Sequence, residues 1–338
     1  MTTVAEVRSL CIELLQAAGV PSEPAYRTAT ALVLAEMWGL PSHGLLRLPH
    51  YLRRIAAGGI NPRAELTVAS AHGATVALDG NAGLGHWQLW DAVGRASQLA
   101  RIFGIGMVSV ANSNHCGALG AGVIGALPDG HIGFAMSNGP AVMPPWHGRS
   151  PVLSTSPLAA AIPTSPAPTI IDMATSAVSR GAIAVYAEKD ELLPEGWAVD
   201  RAGVPTSDPH SALAGMLMPM AGPKGYALAL LVEALTGALV GPLLAVDVVD
   251  MFDRSHDAVP QGIAHVAFAI DPACLGVGGR DRLHRLANSI AEAGGRLPGA
   301  NRVLPAELHD DAACPTSPAT MREIRACAEH FGLDSVSG

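Results

Sequence analysis

Ile105-Gly106-Met107-Val108-Ser109-Val110-Ala111-Asn112-Ser113-Asn114-His115-Cys116-Gly117-Ala118-Leu119-Gly120-Ala121-Gly122-Val123-Ile124-Gly125 is the stretch on which the fold turns. Its last six residues match Gly-x-Gly-x-x-Gly, after a predicted strand, Ile105 to Val110, and within the first turns of a predicted helix, Ala118 to Leu127. In a doubly wound dinucleotide fold the first glycine stands at the strand-to-helix turn, and an acidic residue ends the next strand. Here Gly120 lies ten positions beyond Val110, and Ser137-Asn138 follow the next strand, Ile132 to Met136. The glycines therefore read as close-packing positions, and the phosphate-loop reading fails.

Working outward, short strands are predicted at 66–69 and 75–78 before this stretch, and at 158–162, 169–172 and 265–270 after it. Several of the links between strands are too short for parallel crossovers, which need a dozen residues or more. A mixed, largely antiparallel sheet follows. The helix patterns are those of 87–103, 224–240 and 281–293. The first sixty residues differ: Thr3 and Glu6 form a capping-box signal, and helical spacing runs from Val4 to Leu15 and from Ser22 to Trp38. The expected organisation is a helical domain, 1–65, with 315–338 packing back on it as an amphipathic helix, and a core, 66–314.

The apolar run from Tyr226 to Val249 contains Glu233 and Gly241-Pro242. A carboxylate and a Gly-Pro break argue against a membrane span; a core helix to about Val240, then a loop and an apolar strand, is expected. Hydrophobic residues make up 49% and charged residues 15%, which fits a buried globular core. A net charge of −8 argues against nucleic acid or an anionic membrane surface as partner. Five scattered cysteines without a Cys-x-x-Cys indicate reduced thiols in a cytoplasmic protein, and no secretory signal opens the sequence. The thirteen histidines contain no tight ligand pair, so no metal site is expected.

Two segments carry chemistry-bearing residues. In Ser42-His43-Gly44-Leu45-Leu46-Arg47-Leu48-Pro49-His50-Tyr51, His43, Arg47 and Tyr51 recur at i, i+4 and i+8. On one helix they share a stripe offering an imidazole for proton transfer, a guanidinium for a carboxylate and a phenol. Spacing alone leaves two readings, a solvated helix face and a substrate-facing wall, and Pro49 introduces a possible kink. Asn112 to His115 ends a strand before a helix, a common place for ligands; His115 reads equally as ligand contact or loop filler. Lys224-Gly225 at a helix start suits a phosphate or a plain first turn. These residues support an enzyme handling a small anionic substrate.

Together the motifs resemble the malate/L-lactate dehydrogenase-like family, which lacks a Rossmann fold. The resemblance rests on Ser42-His43-Gly44 with Arg47 and Tyr51, Asn112 to Gly117, Val142 to Trp146, Pro157-Leu158-Ala159, Asp172 to Ser176, Gly196 to Asp200, Pro205 to Pro209, Gly222 to Tyr226 and Leu297-Pro298-Gly299, in this order. It implies an NAD- or NADP-dependent oxidoreductase with its own α/β fold, dimeric, acting on a 2-hydroxy acid and its 2-oxo form. It implies His43 as proton donor, with His115 as the acid/base in some members, and Arg47 holding the carboxylate. Ser42 and Tyr51 would line the substrate pocket. The cofactor would follow His115, Cys116, Gly117, Ala118 and Leu119, then Asp172, Met173 and Ala174, Lys224 and Gly225, and Arg296 to Gly299. Ser156, Arg180 and Gly181 are assigned to the same surface, Arg180 as a candidate for a 2′-phosphate.

The sequence departs from the family pattern at three places. Ser156 replaces the usual Asn before Pro-Leu-Ala. His147 stands where a glycine follows Pro-Trp, which adds an imidazole to the expected substrate pocket. Ala182 occupies the position of an assisting Asp in cyclic-imine reductases and of a Lys in many hydroxy-acid members. Ala182 weakens the cyclic-imine assignment and leaves the substrate open; the alternatives to a hydroxy-acid dehydrogenase are a cyclic-imine carboxylate reductase and a dinucleotide-binding protein without turnover.

Overall fold

The structure is a computed structural model that describes residues 2–333; the last five residues of the expected 315–338 segment lie outside the described residues. In chain order the helices are α1 (Val4–Ala17), α2 (Ser22–Met37), α3 (Leu48–Ala57), α4 (Gly85–Phe103), α5 (Leu119–Val123), α6 (Arg180–Glu188), α7 (Pro209–Ala214), α8 (Pro223–Glu233), α9 (Gly279–Glu292) and α10 (Pro318–His330). The strands are β1 (Thr67–His72), β2 (Thr75–Asp79), β3 (Ile105–Ser113), β4 (Ile132–Ser137), β5 (Leu158–Ile162), β6 (Thr169–Met173), β7 (Ala198–Val199), β8 (Pro205–Thr206), β9 (Met216–Leu217) and β10 (Ile263–Ile270).

Seven strands form one sheet in the order β1-β2-β3-β10-β4-β5-β6. Every pairing is antiparallel except β2 with β3, which α4 links as a crossover. The mixed, largely antiparallel sheet read from the short links is thus the one observed, and its one parallel pair, β2 with β3, has a helix in its crossover. Because β3 and β4 both run against β10, and β6 runs with β4, the C-terminal ends of β3, β4 and β6 share one end of the sheet. The N-terminal end of β10 lies there too. The candidate site forms at that end.

The glycine run packs as expected. A Cβ on Gly120 would stand 2.7 Å from the Asp172 carboxylate, and one on Gly122 would stand 2.9 Å from Leu89. The helix itself is shorter than predicted: α5 ends at Val123, and a 3₁₀ stretch, Ile124–Asp129, with Pro128 inside it, continues the chain.

The capping box at Thr3 and Glu6 is made in both directions. Leu14 and Leu15 of α1, Leu32 of α2 and Tyr51 and Leu52 of α3 share one buried cluster with Cys314, Met321 and Ile324. A backbone hydrogen bond from Cys314 to the Thr2 carbonyl ties the two ends together, and α10 packs against α1 and α3.

Two expectations are corrected. No single helix spans Ser42 to Tyr51: 3₁₀ turns at Pro41–His43 and Leu45–Arg47 precede α3. Pro49 sits at the start of α3, where its missing N–H costs nothing, and no kink results. The apolar strand expected after Val240 does not form either. Beyond α8 a π-turn, Ala234–Ala238, leads into turns, because the backbone there serves Glu233: the Ala245 N–H donates to its carboxylate at 2.8 Å.

A smaller three-stranded sheet, β8-β7-β9, packs with α6 and α7 over Met143, Leu153 and Ile183. No helix among the described residues is long and apolar enough to cross a membrane.

Candidate active site

A cavity of about 330 Å³ opens at the shared strand ends. The 3₁₀ turns before α3 supply Ser42, His43 and Arg47. The β3–α5 link supplies His115 to Leu119, β6 supplies Asp172 and Met173 with Ala174 after them, and the start of α6 supplies Arg180 and Gly181. The imidazoles of His43 and His115 lie nearly parallel with centroids 6.1 Å apart. Residues more than seventy positions apart thus meet at one wall.

Each group is held. Ser42 Oγ lies 3.1 Å from His43 Nδ1. Arg47 Nε donates to the Ser42 carbonyl at 2.6 Å, and its guanidinium lies over the Phe252 ring, 4.4 Å from the centroid. Arg47 is therefore fixed by one N–H and one face, and its terminal nitrogens make no hydrogen bond to protein among the described residues. That leaves the fork free for a carboxylate. Tyr51 is buried and does not line the cavity; its hydroxyl meets His115 Nδ1 at 2.7 Å. It therefore stands behind His115, away from the space a substrate would fill. The His115 N–H donates to Gln261 Oε1 at 3.1 Å.

Burial sets the charge of this wall. Desolvation, then the Arg47 charge, lowers His43 to a pKa of about 4. Desolvation followed by the neighbouring His43, His86 and Arg47 holds His115 well below the ordinary imidazole range. Both rings are neutral at pH 7, the state in which an imidazole accepts a proton. Burial also raises the Tyr51 phenol, so it stays protonated. Asp172 is raised by burial, against the Arg302 charge 3.7 Å away and the Gly120 N–H at 3.1 Å.

Other expected residues lie apart. Ser156 is buried beside the lining residues Ser154, Thr155 and Pro157, with φ +42°. Asn tolerates that left-handed backbone well, which gives the family's usual Asn a backbone reason. In this chain the Ser156 N–H donates to Ser154 Oγ at 2.9 Å. His147 lines a second cleft of about 250 Å³ with Trp146 and Arg149. Lys224, Gly225, Arg296 and Gly299 do not line the first cavity; Lys224 and Arg296 are exposed, and Gly299 sits against Ile170 of β6.

Four residues that the sequence reading passed over belong to the site or its support. Asp250, Phe252 and Gln261 line the cavity from irregular chain. His86 is buried against Tyr51, ring centroids 5.0 Å apart. Periodicity carries no signal for the first three. His86 follows the Gly83-Leu84-Gly85 turn at a helix start, the same context that drew attention to His115.

A malate/L-lactate dehydrogenase profile matches residues 2–317. The chain belongs to the malate/L-lactate dehydrogenase family. It is 37% identical over 304 residues to a (2R)-3-sulfolactate dehydrogenase (NADP(+)) of Chromohalobacter salexigens, covering 89% of this chain and 90% of that one. It is 34% identical over 314 residues to a Delta(1)-pyrroline-2-carboxylate reductase of Ancylobacter novellus, covering 89% of each. The sulfolactate dehydrogenase structure from Methanocaldococcus jannaschii superposes with a TM-score of 0.86 at 30% identity, covering 98% of this chain and 97% of that one. This family member is an NAD(P)-dependent oxidoreductase.

The cavity fits a nicotinamide. Leu119, Val142, Pro157 and Ile263 give it apolar walls beside the two imidazoles, and Asp172 supplies a polar edge. Its volume lies at the small end of the roughly 300–1,000 Å³ range of ligand sites. It suits the reacting end of a dinucleotide with a small acid; the remainder of the cofactor must extend beyond it.

Proposed function

We propose that the protein interconverts a small 2-hydroxy acid and its 2-oxo form with NAD or NADP. The observation that carries this reading is the pairing of two neutral imidazoles with a half-free guanidinium in one cavity. When bound, the nicotinamide supplies the hydride acceptor or donor. The protein's residues do the rest. Arg47 binds the substrate carboxylate through its free fork and fixes which face of the carbon is presented.

The two histidines divide the work at oxygen. The Tyr51 hydroxyl and the Gly117 N–H, at 2.7 and 3.4 Å, both face His115 Nδ1. With both donating, the neutral His115 carries its proton on Nε2 and acts as a hydrogen-bond donor. His43 then takes the hydroxyl proton in oxidation and returns it in reduction. The bound carboxylate offsets the Arg47 charge that disfavours the imidazolium, so proton uptake by His43 becomes easier with substrate in place.

Initial rates with 2-hydroxy acids, 2-oxo acids and cyclic imine carboxylates, each with NAD(H) and NADP(H), test this reading. Turnover of hydroxy and oxo acids is expected. Activity confined to imines would establish the second reading, which the pyrroline-carboxylate reductase relative favours and Ala182 disfavours. Binding of NAD(P)H without turnover of any substrate would leave a dinucleotide-binding protein.

The family resemblance also points to a cytoplasmic homodimer. Leu230, Leu231, Leu239, Leu244 and Val246, in and after α8, are all exposed, an apolar run that a second copy would cover. Sedimentation is expected to give twice the chain mass. A monomer at micromolar concentration would remove the proposal.

A further inference from the structure

Arg180 has no role in the proton chemistry above, yet it lines the same cavity as His43 and Arg47. It opens α6, and a Cβ on the adjacent Gly181 would stand 3.2 Å from the Ser42 Cβ. Ser42 in turn holds His43. The Arg180 guanidinium reaches Asp250, which lines the same cavity as His43 and Arg47. One Arg180 terminal nitrogen, Nη2, donates to the Leu213 carbonyl at 2.9 Å. The other, Nη1, faces Asp250 Oδ2 at 3.8 Å, an ion pair too long for a hydrogen bond.

Asp250 is itself fixed, because its Oδ1 accepts the Phe252 N–H at 3.0 Å. Phe252 carries the Arg47 guanidinium on its ring. The short segment Asp250–Phe252 therefore touches both guanidiniums of the cavity, Arg47 through an aromatic face and Arg180 through a carboxylate. Arg47 is spoken for by the carboxylate next to the reacting carbon. Arg180 keeps a loosely paired donor on the same cavity, and a half-exposed ion pair of this length is readily exchanged.

We propose that Arg180 is a specificity-determining residue that receives a second oxyanion, a carboxylate or sulfonate at the far end of the substrate, with Asp250 as its resting counter-ion. This rests on the hydroxy-acid reading. A substrate with two anionic ends would displace Asp250 from Arg180, whereas one with an apolar end leaves the pair closed.

The test compares malate with lactate, both enantiomers of each, with NAD and NADP, in the wild type, Arg180→Gln and Asp250→Asn. Arg180→Gln should lower the malate-to-lactate ratio of kcat/KM about tenfold or more, through KM, with the NADP-to-NAD ratio kept. Asp250→Asn should move the malate KM the other way. Thermal melting of each variant separates these effects from loss of fold. Parallel changes for both acids, an altered NADP-to-NAD ratio in their place, or a wild type that oxidises lactate but not malate would overturn the assignment. A wild type that oxidises neither of these acids nor sulfolactate nor any other 2-hydroxy acid of the wider panel, with either cofactor, would remove the hydroxy-acid reading, and Arg180's role with it.

Discussion

The turns carrying Ser42 to Arg47 and the loop carrying Trp146 and His147 each offer an imidazole beside an arginine, and they are built in opposite ways. His43 is pinned by Ser42, faces His115 and is desolvated enough to hold its pKa near 4. Arg47 beside it is held by a carbonyl below and an aromatic ring against its face. His147 sits at φ +63° on an exposed loop, its ring against Trp146, in a separate cleft with Arg149. The residue types are alike; the solvation is not. In a desolvated wall each lost charge or hydrogen bond is felt in full, whereas water replaces it on an open loop.

The sharpest way to break this contrast is at His43. His43→Ala should lower kcat for hydroxy-acid oxidation by about 10²–10⁴-fold while NAD(P)H affinity, read by fluorescence titration, stays close to wild type. The pH dependence follows from the direction of the shift. A base must be neutral to accept a proton, so kcat/KM falls as pH drops through the free-enzyme pKa. With His43 held near 4, that acid limb should lie well below the 6.5 of an ordinary imidazole. A limb at or above 6.5 would show that His43 is solvated in the working enzyme. Loss of chemistry in His115→Ala with activity retained in His43→Ala would exchange the two roles.

Next in size is Arg47→Ala. Removing a desolvated carboxylate partner costs about 2–4 kcal/mol, read as a rise of roughly 30- to 1,000-fold in KM for carboxylate substrates. Arg47→Lys should recover little of this, because an ammonium offers neither the fork nor the flat face that rests on Phe252. Unchanged kinetics in Arg47→Ala would refute the clamp.

Tyr51→Phe should be milder, about tenfold in kcat, since one hydrogen bond to His115 Nδ1 is lost while the packing remains. Its effect should be absent in a His115→Ala background, because the phenol acts through that ring. Additive losses would show that Tyr51 reaches the substrate by itself.

These predictions rest on geometry that was unevenly legible in the sequence. Short links and a misplaced glycine run were enough to exclude the doubly wound sheet, because chain length and turn position are local facts. The meeting of His43 with Arg47 was legible for a different reason than the one first apparent. The i, i+4 spacing suggested one α-helix, but two 3₁₀ turns place both residues at the cavity. Tyr51, on the true helix, faces inward behind His115. What remained hidden lies on chain without periodicity. Asp250, Phe252 and Gln261 reach the site on irregular chain held by distant partners: Glu233 takes the Ala245 N–H, Arg54 donates to the His256 and Val259 carbonyls, and Asn114 accepts the Gln261 N–H. A buried carboxylate interrupting an apolar run marks such a place, though not the residues it will position.

The smallest expected effect is the one that tests the contrast from its other side. His147→Ala should change kcat/KM by less than about threefold, because an exposed ring on a separate cleft makes no contact with the cavity of His43 and Arg47 in a single chain. Gel filtration of the same variant should be unchanged. A loss of tenfold or more in a correctly assembled variant would mean that the Trp146 loop closes on the substrate, or that a second copy brings it there. The solvated half of the comparison would then belong to the active site, and the distinction between the two imidazoles would be one of timing and no longer of place.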